Sequence, residues 1–200
     1  MRRAAWVLGY HGCDRKIGEQ ILRGKREILP SSNQFDWLGG GAYFWENSYS
    51  RALHWANFLK KTPGSSKSRI KTPFVIGAII DPGNCLDLTE HESLDILKAA
   101  YPPFRDSFRA AKREMPKNEE SYAGDVDLVK RKLDCAIINY FHQMRVREGQ
   151  APFDTVRAPF VEGGFLFDGS KIHSLTHLQW CVRNPGTSIL GYFRPRKPIP

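Results

Sequence analysis

Five short apolar or alternating runs along the chain predict β-strands. They lie at 4–10, 42–45, 73–80, 177–183 and 189–193. The run at 73–80 is almost wholly apolar, which is typical of a strand that is buried on both faces. A turn around Glu162 predicts one more strand directly after it. The sequence therefore places strands in both halves of the chain.

Two helices are predicted beside the early strands. Asp14 is a capping residue in front of a helical pattern that stops at Gly24. Ser48 similarly precedes a helical pattern at 51–59. The segment 25–37 between these helices is rich in turn-forming residues and has no regular period, so it predicts a loop.

The middle of the chain, from about 86 to 150, has helical spacing. Pro102 and Pro103 predict a break within this block, and the apolar positions from Val126 to Met144 predict a long amphipathic helix. We therefore expect an α+β fold in which a helical insertion separates two β regions.

Length and composition fit a single domain that spans 1–200. A chain of 200 residues with 41% hydrophobic residues can bury one core. The formal net charge is +9, which favours a polyanionic partner such as nucleic acid. Basic residues are frequent in the segment 60–72, for which we predict a mobile surface loop, and in a tail from Arg194 onward, which we predict to be unstructured.

The cysteines and the first residues bear on the class of protein. Cys13, Cys85, Cys135 and Cys181 lie far apart, without the paired spacing of a zinc site or a disulfide framework, so no metal is expected. The apolar run near the start is too short for a signal peptide or a membrane span. We therefore expect a protein of the reducing cytoplasm that has no membrane partner.

A glycine-rich corner at 39–55 combines residue types that often bind ligands. Gly39, Gly40 and Gly41 allow positive φ angles and a close approach of the backbone. A short aromatic strand and the start of a helix follow, and they bring together two tryptophans, two tyrosines, a glutamate, an arginine and a histidine. Plain aromatic packing is the alternative explanation of this corner.

Three motifs together resemble the signatures of the PARP-like ADP-ribosyltransferases. They are Tyr10-His11-Gly12, Gly41-Ala42-Tyr43-Phe44 and Gln179-Trp180-Cys181-Val182-Arg183-Asn184-Pro185. Members of that family carry, in this order, a histidine before a glycine, a tyrosine in G-x-Y-F and a glutamate a few residues before N-P. Order and approximate spacing match over the whole chain, and the resemblance implies the split β-sheet core of that family.

The resemblance implies chemistry on NAD, which would be a co-substrate bound in a cleft between two small sheets. His11 would hydrogen-bond the hydroxyl groups of the adenosine ribose, and the backbone of Gly12 would hold the carboxamide of nicotinamide. Tyr43 would stack on the nicotinamide ring, with Phe44 beside it in the same motif. The bond to nicotinamide would break through an oxocarbenium-like state.

The chain departs from the family pattern on the helix that follows the second motif. Many members carry a serine and then a tyrosine there, whereas Arg51 and His54 occupy those positions here. Arg51 is a candidate to pair with the pyrophosphate, and His54 or the adjacent Trp55 is a candidate to stack on nicotinamide. Core packing is the alternative role for Trp55.

Gln179 is the larger departure, because it replaces the glutamate of the third motif. An amide can orient the nicotinamide ribose, but it stabilises positive charge less than a carboxylate does. Glu162, in front of two glycines, and His177, two residues before Gln179 on the same strand face, are candidates for a base in the acceptor step. An ordinary structural role is the alternative for both.

These features lead to the hypothesis of an NAD-dependent mono-ADP-ribosyltransferase, a glycosyltransferase that acts on NAD. A compact, basic transferase suggests a bacterial toxin of a toxin–antitoxin or phage-defence system, with an antitoxin protein as partner. The charge favours nucleic acid as the acceptor, RNA before DNA, and a protein acceptor is the first alternative. An inactive module that binds NAD or ADP-ribose is a further hypothesis, and a simple RNA-binding protein is the last.

Overall fold

The computed structural model describes residues 5–62, 70–121 and 124–196. The fold is mixed α+β, as predicted, with one open seven-stranded sheet and, in these residues, five helices. The strands are β1 (Val7–Asp14), β2 (Ala42–Glu46), β3 (Pro73–Ile80), β4 (Cys85–Asp87), β5 (Thr155–Phe160), β6 (His177–Val182) and β7 (Ile189–Phe193). The helices are α1 (Arg15–Leu22), α2 (Tyr49–Lys61), α3 (His91–Ala110), α4 (Lys132–Arg147) and the short α5 (Pro185–Ser188).

The sheet divides in its middle, between β1 and β2. The strand order is β4-β5-β6-β2-β1-β3-β7, with β4 and β5 parallel and the other neighbours antiparallel. β1 and β2 pair only at Gly9 with Glu46 and at Tyr10 with Trp45. Beyond Tyr10, β1 pairs with β3 alone, and the rest of β2 pairs with β6 alone. The sheet therefore consists of two halves that meet along a short seam.

β1 continues further than the sequence pattern predicts. The predicted strand stopped at residue 10, but His11, Gly12 and Cys13 also lie inside the strand because each pairs with a residue of the apolar strand β3. Asp14 then caps α1, as predicted, by accepting a hydrogen bond from Lys16 N–H at 3.0 Å. This extension places His11 and Gly12 at the point where β1 and β2 have diverged.

β5 is a strand that the apolar pattern did not indicate, because Arg157 and Pro159 interrupt it. Arg157 is nevertheless buried, and its guanidinium donates to Glu46 Oε2 at 2.6 Å and to both carboxylate oxygens of Asp87 at 3.3 Å. Trp180 Nε1 donates to the same Glu46 oxygen at 2.7 Å. A buried arginine is tolerated when it is fully paired. Arg157 therefore interrupts the apolar pattern of β5, and its side chain links β5 to β2 and β4.

The segment after β5 forms a turn instead of the predicted strand. Phe165, Leu166 and Phe167 are between 53% and 65% exposed. Leu166 N–H donates to the carbonyl of Ile172, and Ser170 N–H donates to the carbonyl of Phe167. Because the chain folds back on itself here, the apolar side chains remain at the surface.

The first helix of the central block contradicts the predicted break. α3 runs through Pro102 and Pro103, and the predicted start of the block at residue 86 is wrong, because residues 85–87 form β4. The two prolines deprive the carbonyls of Lys98 and Ala99 of their helical partners, but both residues are exposed, so water can satisfy those carbonyls. The buried side chain of Phe104 holds the second half of the helix against the core.

α4 begins at Lys132, later than the predicted start at Val126. The side chain of Asp125 is 1% exposed and accepts hydrogen bonds from the N–H groups of Ser121, Asp127 and Val129. Such local bonds from an aspartate compete with helix formation. Val126 is consequently left 88% exposed in the turn before the helix.

The helices leave the seam between β1 and β2 uncovered. α1 packs on one face of the sheet, in a cluster that includes Phe44 and Ile76. Successive strand residues point to opposite faces, so Tyr43 and Trp45 both lie on the other face. There, Trp45 packs with α2 residues and Tyr43 packs with residues of α3 and α4. The seam therefore lies between α2 and the α3–α4 pair.

The two basic segments are only partly described. Residues 63–69 of the loop predicted to be mobile, and 197–200 of the tail, lie outside the described residues. Lys60 and Lys61 belong to α2 instead of the loop. Arg194 was expected in an unstructured tail, but it bonds Glu19 at 2.7 Å and lies over the ring of Phe74.

Candidate functional site

A cleft of about 450 Å³ opens at the seam of the sheet. Its walls come from β1, β2, β6, α2 and the loop in front of β2. The candidate residues from the sequence that line it are His11, Gly12, Tyr43, Arg51, Trp55, Glu162, His177 and Gln179. The fold therefore brings residues of all three motifs into one cleft.

The edge of β1 presents backbone polar groups to this cleft. The Leu8 carbonyl accepts from the N–H of Asn47, next to β2, at 2.9 Å, so the even-numbered residues of β1 direct their N–H and C=O groups toward β2. Arg15 N–H correspondingly bonds the Thr72 carbonyl on the β3 side. At Gly12 β2 has diverged, and the N–H and C=O of Gly12 therefore point toward the cleft. One donor beside one acceptor suits a planar carboxamide.

His11 occupies the gap where the two strands part. Its Nδ1 lies 2.8 Å from the Tyr43 carbonyl oxygen, a backbone group that has no strand partner on that side of β2 among the described residues. Burial lowers the pKa of His11, and the bond to Tyr43 opposes this only in part. The ring is therefore neutral, Nδ1 donates its proton to the Tyr43 carbonyl, and Nε2 is left as an acceptor.

Two residues that were expected to contact the cofactor lie elsewhere. Phe44 is fully buried in the core on the face of β2 opposite to Tyr43, because neighbouring strand residues alternate. His54 is exposed on α2 and is not among the described residues that line the cleft. Its Nδ1 accepts a hydrogen bond from Arg51 Nη1 at 2.9 Å. The adjacent Trp55 lines the cleft.

The glycine turn approaches other parts of the protein closely. Gly39 has a φ of +81°, and a side chain there would lie 2.7 Å from Asn139 Oδ1. A side chain at Gly41 would lie 2.5 Å from Cys181 Sγ. Gly40 N–H donates to Asn139 Oδ1 at 3.1 Å. Among the three glycines, the positive φ is therefore found at Gly39 alone, and the close approach is confirmed at Gly39 and Gly41, with α4 and β6 as the partners.

The hydroxyl group of Tyr43 is part of the same turn. It donates to the Gly39 carbonyl at 2.8 Å and accepts from Leu38 N–H at 2.9 Å. Burial raises the pKa of Tyr43 well above its usual value, so the hydroxyl stays protonated. The ring of Tyr43 lines the cleft while its hydroxyl holds the glycine turn in place.

Tyr43→Phe is expected to lower the free energy of unfolding by about 1–3 kcal/mol, because Leu38 N–H and the Gly39 carbonyl both lose their partner. Chemical denaturation measures this difference. The matched variant Tyr101→Phe removes the hydroxyl of a tyrosine that is 41% exposed and should leave stability unchanged. A Tyr43→Phe protein as stable as the wild type would contradict the role given to this hydroxyl.

Gln179 is held by a residue outside the three motifs. Trp37 Nε1 donates to Gln179 Oε1 at 2.6 Å. The ring of Trp37 packs edge-on against Phe160 at 4.8 Å between centroids. Gln179 is only 9% exposed, so this contact lies in a largely buried part of the cleft wall.

Arg51, Glu162 and His177 form a cluster in the cleft. Arg51 Nη2 donates to Glu162 Oε1 and lies 3.5 Å from His177 Nδ1. The side chains of Arg51 and Glu162 are 14% and 15% exposed. Arg51 was a candidate for the pyrophosphate, and its charge partner in the structure is the Glu162 carboxylate.

His177 is enclosed by aromatic rings. Phe160 stacks on it at 5.6 Å, and Trp45 lies at 5.9 Å. Its Nδ1 donates to the Leu175 carbonyl at 2.9 Å. Burial lowers the pKa of His177 to about 4, against the opposing effect of the Leu175 bond, and Arg51 lowers it further. Such a weakly basic ring is a poor proton acceptor at neutral pH, which favours Glu162 for that role.

The pKa of Glu162 shifts in the opposite direction to that of His177. Burial raises its pKa, Arg51 opposes the rise, and the nearby carboxylates of Asp127 and Asp125 add to it. A raised pKa makes a carboxylate a better proton acceptor. The adjacent Gly163 N–H donates to Asp127 Oδ2 at 2.9 Å, which fixes the loop that carries Glu162.

Three cleft residues carry buried polar atoms without a hydrogen-bond partner among the described residues. They are Trp45 Nε1, Arg51 Nε and His177 Nε2. Buried polar groups are ordinarily paired, so a ligand or water in the cleft would complete them. Similar unpaired atoms occur away from the cleft lining on Arg131, His142 and Arg183.

The four cysteines are buried, and none of them forms a disulfide bond among the described residues. Within 5–62, 70–121 and 124–196 there is no group of three or more His, Cys, Asp or Glu side chains that could hold a metal ion. None of the helices in these ranges has the length and apolar character needed to cross a membrane.

Sequence reasoning missed Trp37 and the loop around it. The loop predicted at 25–37 is confirmed, but much of it lines the cleft, which the absence of a regular period could not indicate. The position of Trp37 two residues before the glycine turn was the available signal, because a residue so close to that turn must lie near the cleft. Its contact with Gln179 depends on chain pairing that no local pattern contains.

Comparison with known proteins identifies a relative in an archaeon. The chain is 31% identical over 196 residues to the "Uncharacterized protein MJ0359" of Methanocaldococcus jannaschii, and the match covers 88% of this chain and 81% of that protein. No protein-family model and no solved structure matches the chain. With this identity over most of both lengths, the chain belongs to the same protein family as MJ0359.

Proposed function

We propose that this protein is an NAD-dependent mono-ADP-ribosyltransferase with the split sheet of that enzyme class. The observation that carries the proposal is the seam between β1 and β2, where His11, Gly12 and Tyr43 meet Gln179 in one cleft. The resemblance rests on the order of the three motifs along the chain. That residues of all three motifs line one cleft is a separate observation, and it supports the proposal independently of that order.

Each of these residues has a role in the reaction. The N–H and C=O of Gly12 hold the carboxamide of nicotinamide, and His11 Nε2 accepts a hydrogen bond from a ribose hydroxyl. The rings of Tyr43 and Trp55 provide flat surfaces for nicotinamide. Gln179 orients the nicotinamide ribose, as the glutamate would in the related enzymes.

The acceptor step uses Glu162. An oxygen or nitrogen of the acceptor attacks the anomeric carbon of the ribose, the bond to nicotinamide breaks, and neutral nicotinamide leaves. The acceptor loses one proton in this step, and the Glu162 carboxylate takes it. Arg51 holds that carboxylate at the cleft before the acceptor arrives.

Nucleic acid, with RNA before DNA, is the acceptor we propose. The net charge of +9 attracts polyanions. Close to Glu162 in sequence, Phe165 and Phe167 expose their rings, and Lys171 Nζ lies 5.2 Å from the Phe165 ring centroid. Exposed rings beside a cation suit unpaired bases and their phosphates. A cytoplasmic toxin with an antitoxin partner, or a phage-defence enzyme, would act on such an acceptor.

Labelled NAD tests this function directly. The protein is incubated with NAD labelled in its adenosine part and with separated RNA, DNA and protein fractions, and released nicotinamide is measured. We expect nicotinamide release together with label that remains on RNA. Label on protein alone would replace the proposed acceptor by a protein acceptor. Absence of nicotinamide release with every fraction would refute the transferase proposal.

A module that binds NAD or ADP-ribose without catalysis is the second candidate. Two observations favour it: Gln179 is a neutral amide, and the charge of Glu162 is balanced by Arg51. Both candidates predict that NAD binds in calorimetric titration. Only the transferase predicts that nicotinamide is released.

A further inference from the structure

We infer that Trp37 is a positioning residue that fixes the amide of Gln179 in one of its two orientations. The inference deepens the proposed function and rests on it, because it assigns how Gln179 meets the nicotinamide ribose. Its basis is the 2.6 Å hydrogen bond from Trp37 Nε1 to Gln179 Oε1, between residues 142 positions apart in sequence.

The chemistry of the two groups sets the direction of this bond. An indole N–H can only donate, so the atom of Gln179 that faces it is the amide oxygen. The amide NH₂ is then the polar group of Gln179 that Trp37 does not engage, and Gln179 is one of the residues that line the cleft. A freely rotating amide could present either its oxygen or its NH₂ group to a ligand. With Trp37 in place, Gln179 acts toward a ligand as a donor, and a ribose hydroxyl oxygen is a matching acceptor.

Trp37 itself is held on both sides. Its ring packs edge-on against Phe160, which pairs with His177 on the strand that also carries Gln179. The preceding residue is part of a tight turn, because Asp36 accepts from Asn33 N–H at 2.9 Å through its side chain. The Asp36 carbonyl also accepts from Gly39 N–H at 2.7 Å. The indole N–H is therefore presented to Gln179 by a fixed segment.

Trp37 could also donate to a carboxylate at position 179. An N–H donor bonds a carboxylate oxygen more strongly than an amide oxygen. The cleft of this protein thus contains a donor that would also suit a glutamate at position 179. This makes Gln179→Glu an informative variant, since Trp37 should keep its bond in it.

Trp37→Phe tests the inference, because phenylalanine removes the N–H and leaves a smaller aromatic ring on the Phe160 side. We expect the kcat of nicotinamide release to fall about tenfold, while the KM for NAD stays nearly constant, since a misdirected amide still occupies the same space. The matched control is Trp6→Phe, at a tryptophan that is 71% exposed, and it should not change the rate.

A double variant separates positioning from packing. Once Gln179→Ala has removed the amide, Trp37→Phe should cause no further loss, because two residues that act through one contact are not additive. The same tenfold loss in both backgrounds would overturn the inference and assign Trp37 to packing alone. An unchanged rate in Trp37→Phe would overturn it as well.

A measurement of the bond itself does not depend on turnover. The indole N–H resonance of Trp37 should move in Gln179→Ala and should remain hydrogen-bonded in Gln179→Glu. An unmoved resonance in Gln179→Ala would show that the contact does not form, which overturns the inference. If the resonance moves but the wild type releases no nicotinamide, the proposed function fails while the contact stands.

Discussion

Glu162→Gln should reduce ADP-ribose transfer by roughly 10²–10⁴-fold, the range typical of removing a general base. The substitution keeps the size of the side chain and its hydrogen-bonding capacity but deletes the charge. NAD affinity should change little, because Glu162 serves the acceptor. Radiolabel transfer to the acceptor and calorimetric titration with NAD measure the two quantities separately.

The pH profile shows whether Glu162 is the group whose protonation limits the rate. Burial raises the pKa of Glu162, so the wild-type rate should decline as pH falls through a value above that of an ordinary glutamate. Below that pKa the carboxyl is protonated and cannot accept a proton. Glu162→Gln should lack this decline because an amide does not titrate, and a decline that persists in the variant would assign it to another group.

The control for Glu162→Gln lies in the same loop. Asp168 is an exposed carboxylate, and Asp168→Asn should leave both rate and pH profile unchanged. Near-normal transfer by Glu162→Gln would show that Glu162 is not the base. If His177→Ala also retained normal transfer, neither of the two candidates from the sequence would serve the acceptor step.

His11→Ala should lower kcat/KM for NAD at least about 100-fold, which corresponds to about 2.7 kcal/mol. The side chain supplies both an acceptor to the ligand, through Nε2, and the donor to the Tyr43 carbonyl, through Nδ1. Its removal therefore weakens NAD binding and loosens the gap between β1 and β2. Initial rates at varied NAD concentration measure the first effect.

His11→Asn separates the two contributions. The amide of asparagine can donate to the Tyr43 carbonyl from about the position of Nδ1, but it is too short to replace Nε2. We expect this variant to keep the unfolding free energy of the wild type and to lose NAD activity as His11→Ala does. Full activity in His11→Asn would show that Nε2 does not contact the ligand.

Elements with strong local signals were predictable from the sequence. Asp14 caps α1, and the strand predicted at 73–80 is β3, because in both cases neighbouring residues determine the conformation. β5 was not predictable in this way. Its buried Arg157 is compatible with a strand only because Glu46 and Asp87 arrive from other parts of the chain.

The candidate site likewise contains residues that a short segment identifies and contacts that depend on distant parts of the chain. The motif residues were found because they are recognisable in short segments, and strand alternation could already have separated Tyr43 from Phe44. The contact between Arg51 and Glu162 joins residues 111 positions apart and has no local signature. The sequence suggested both residues, one for the pyrophosphate and one for the acceptor, and only their pairing shows that one charge balances the other.

The contact between Asn139 and the glycine turn limits how far this protein can be treated as modular. α4 belongs to the helical block between β4 and β5. A block of this kind is a natural choice for exchange or deletion when chimeric proteins are designed. Its Asn139 nevertheless accepts from Gly40 N–H and lies against the space that only a glycine at position 39 leaves free. A transplanted block would need its own asparagine in register with that turn, and a deleted block would leave one wall of the cleft without support.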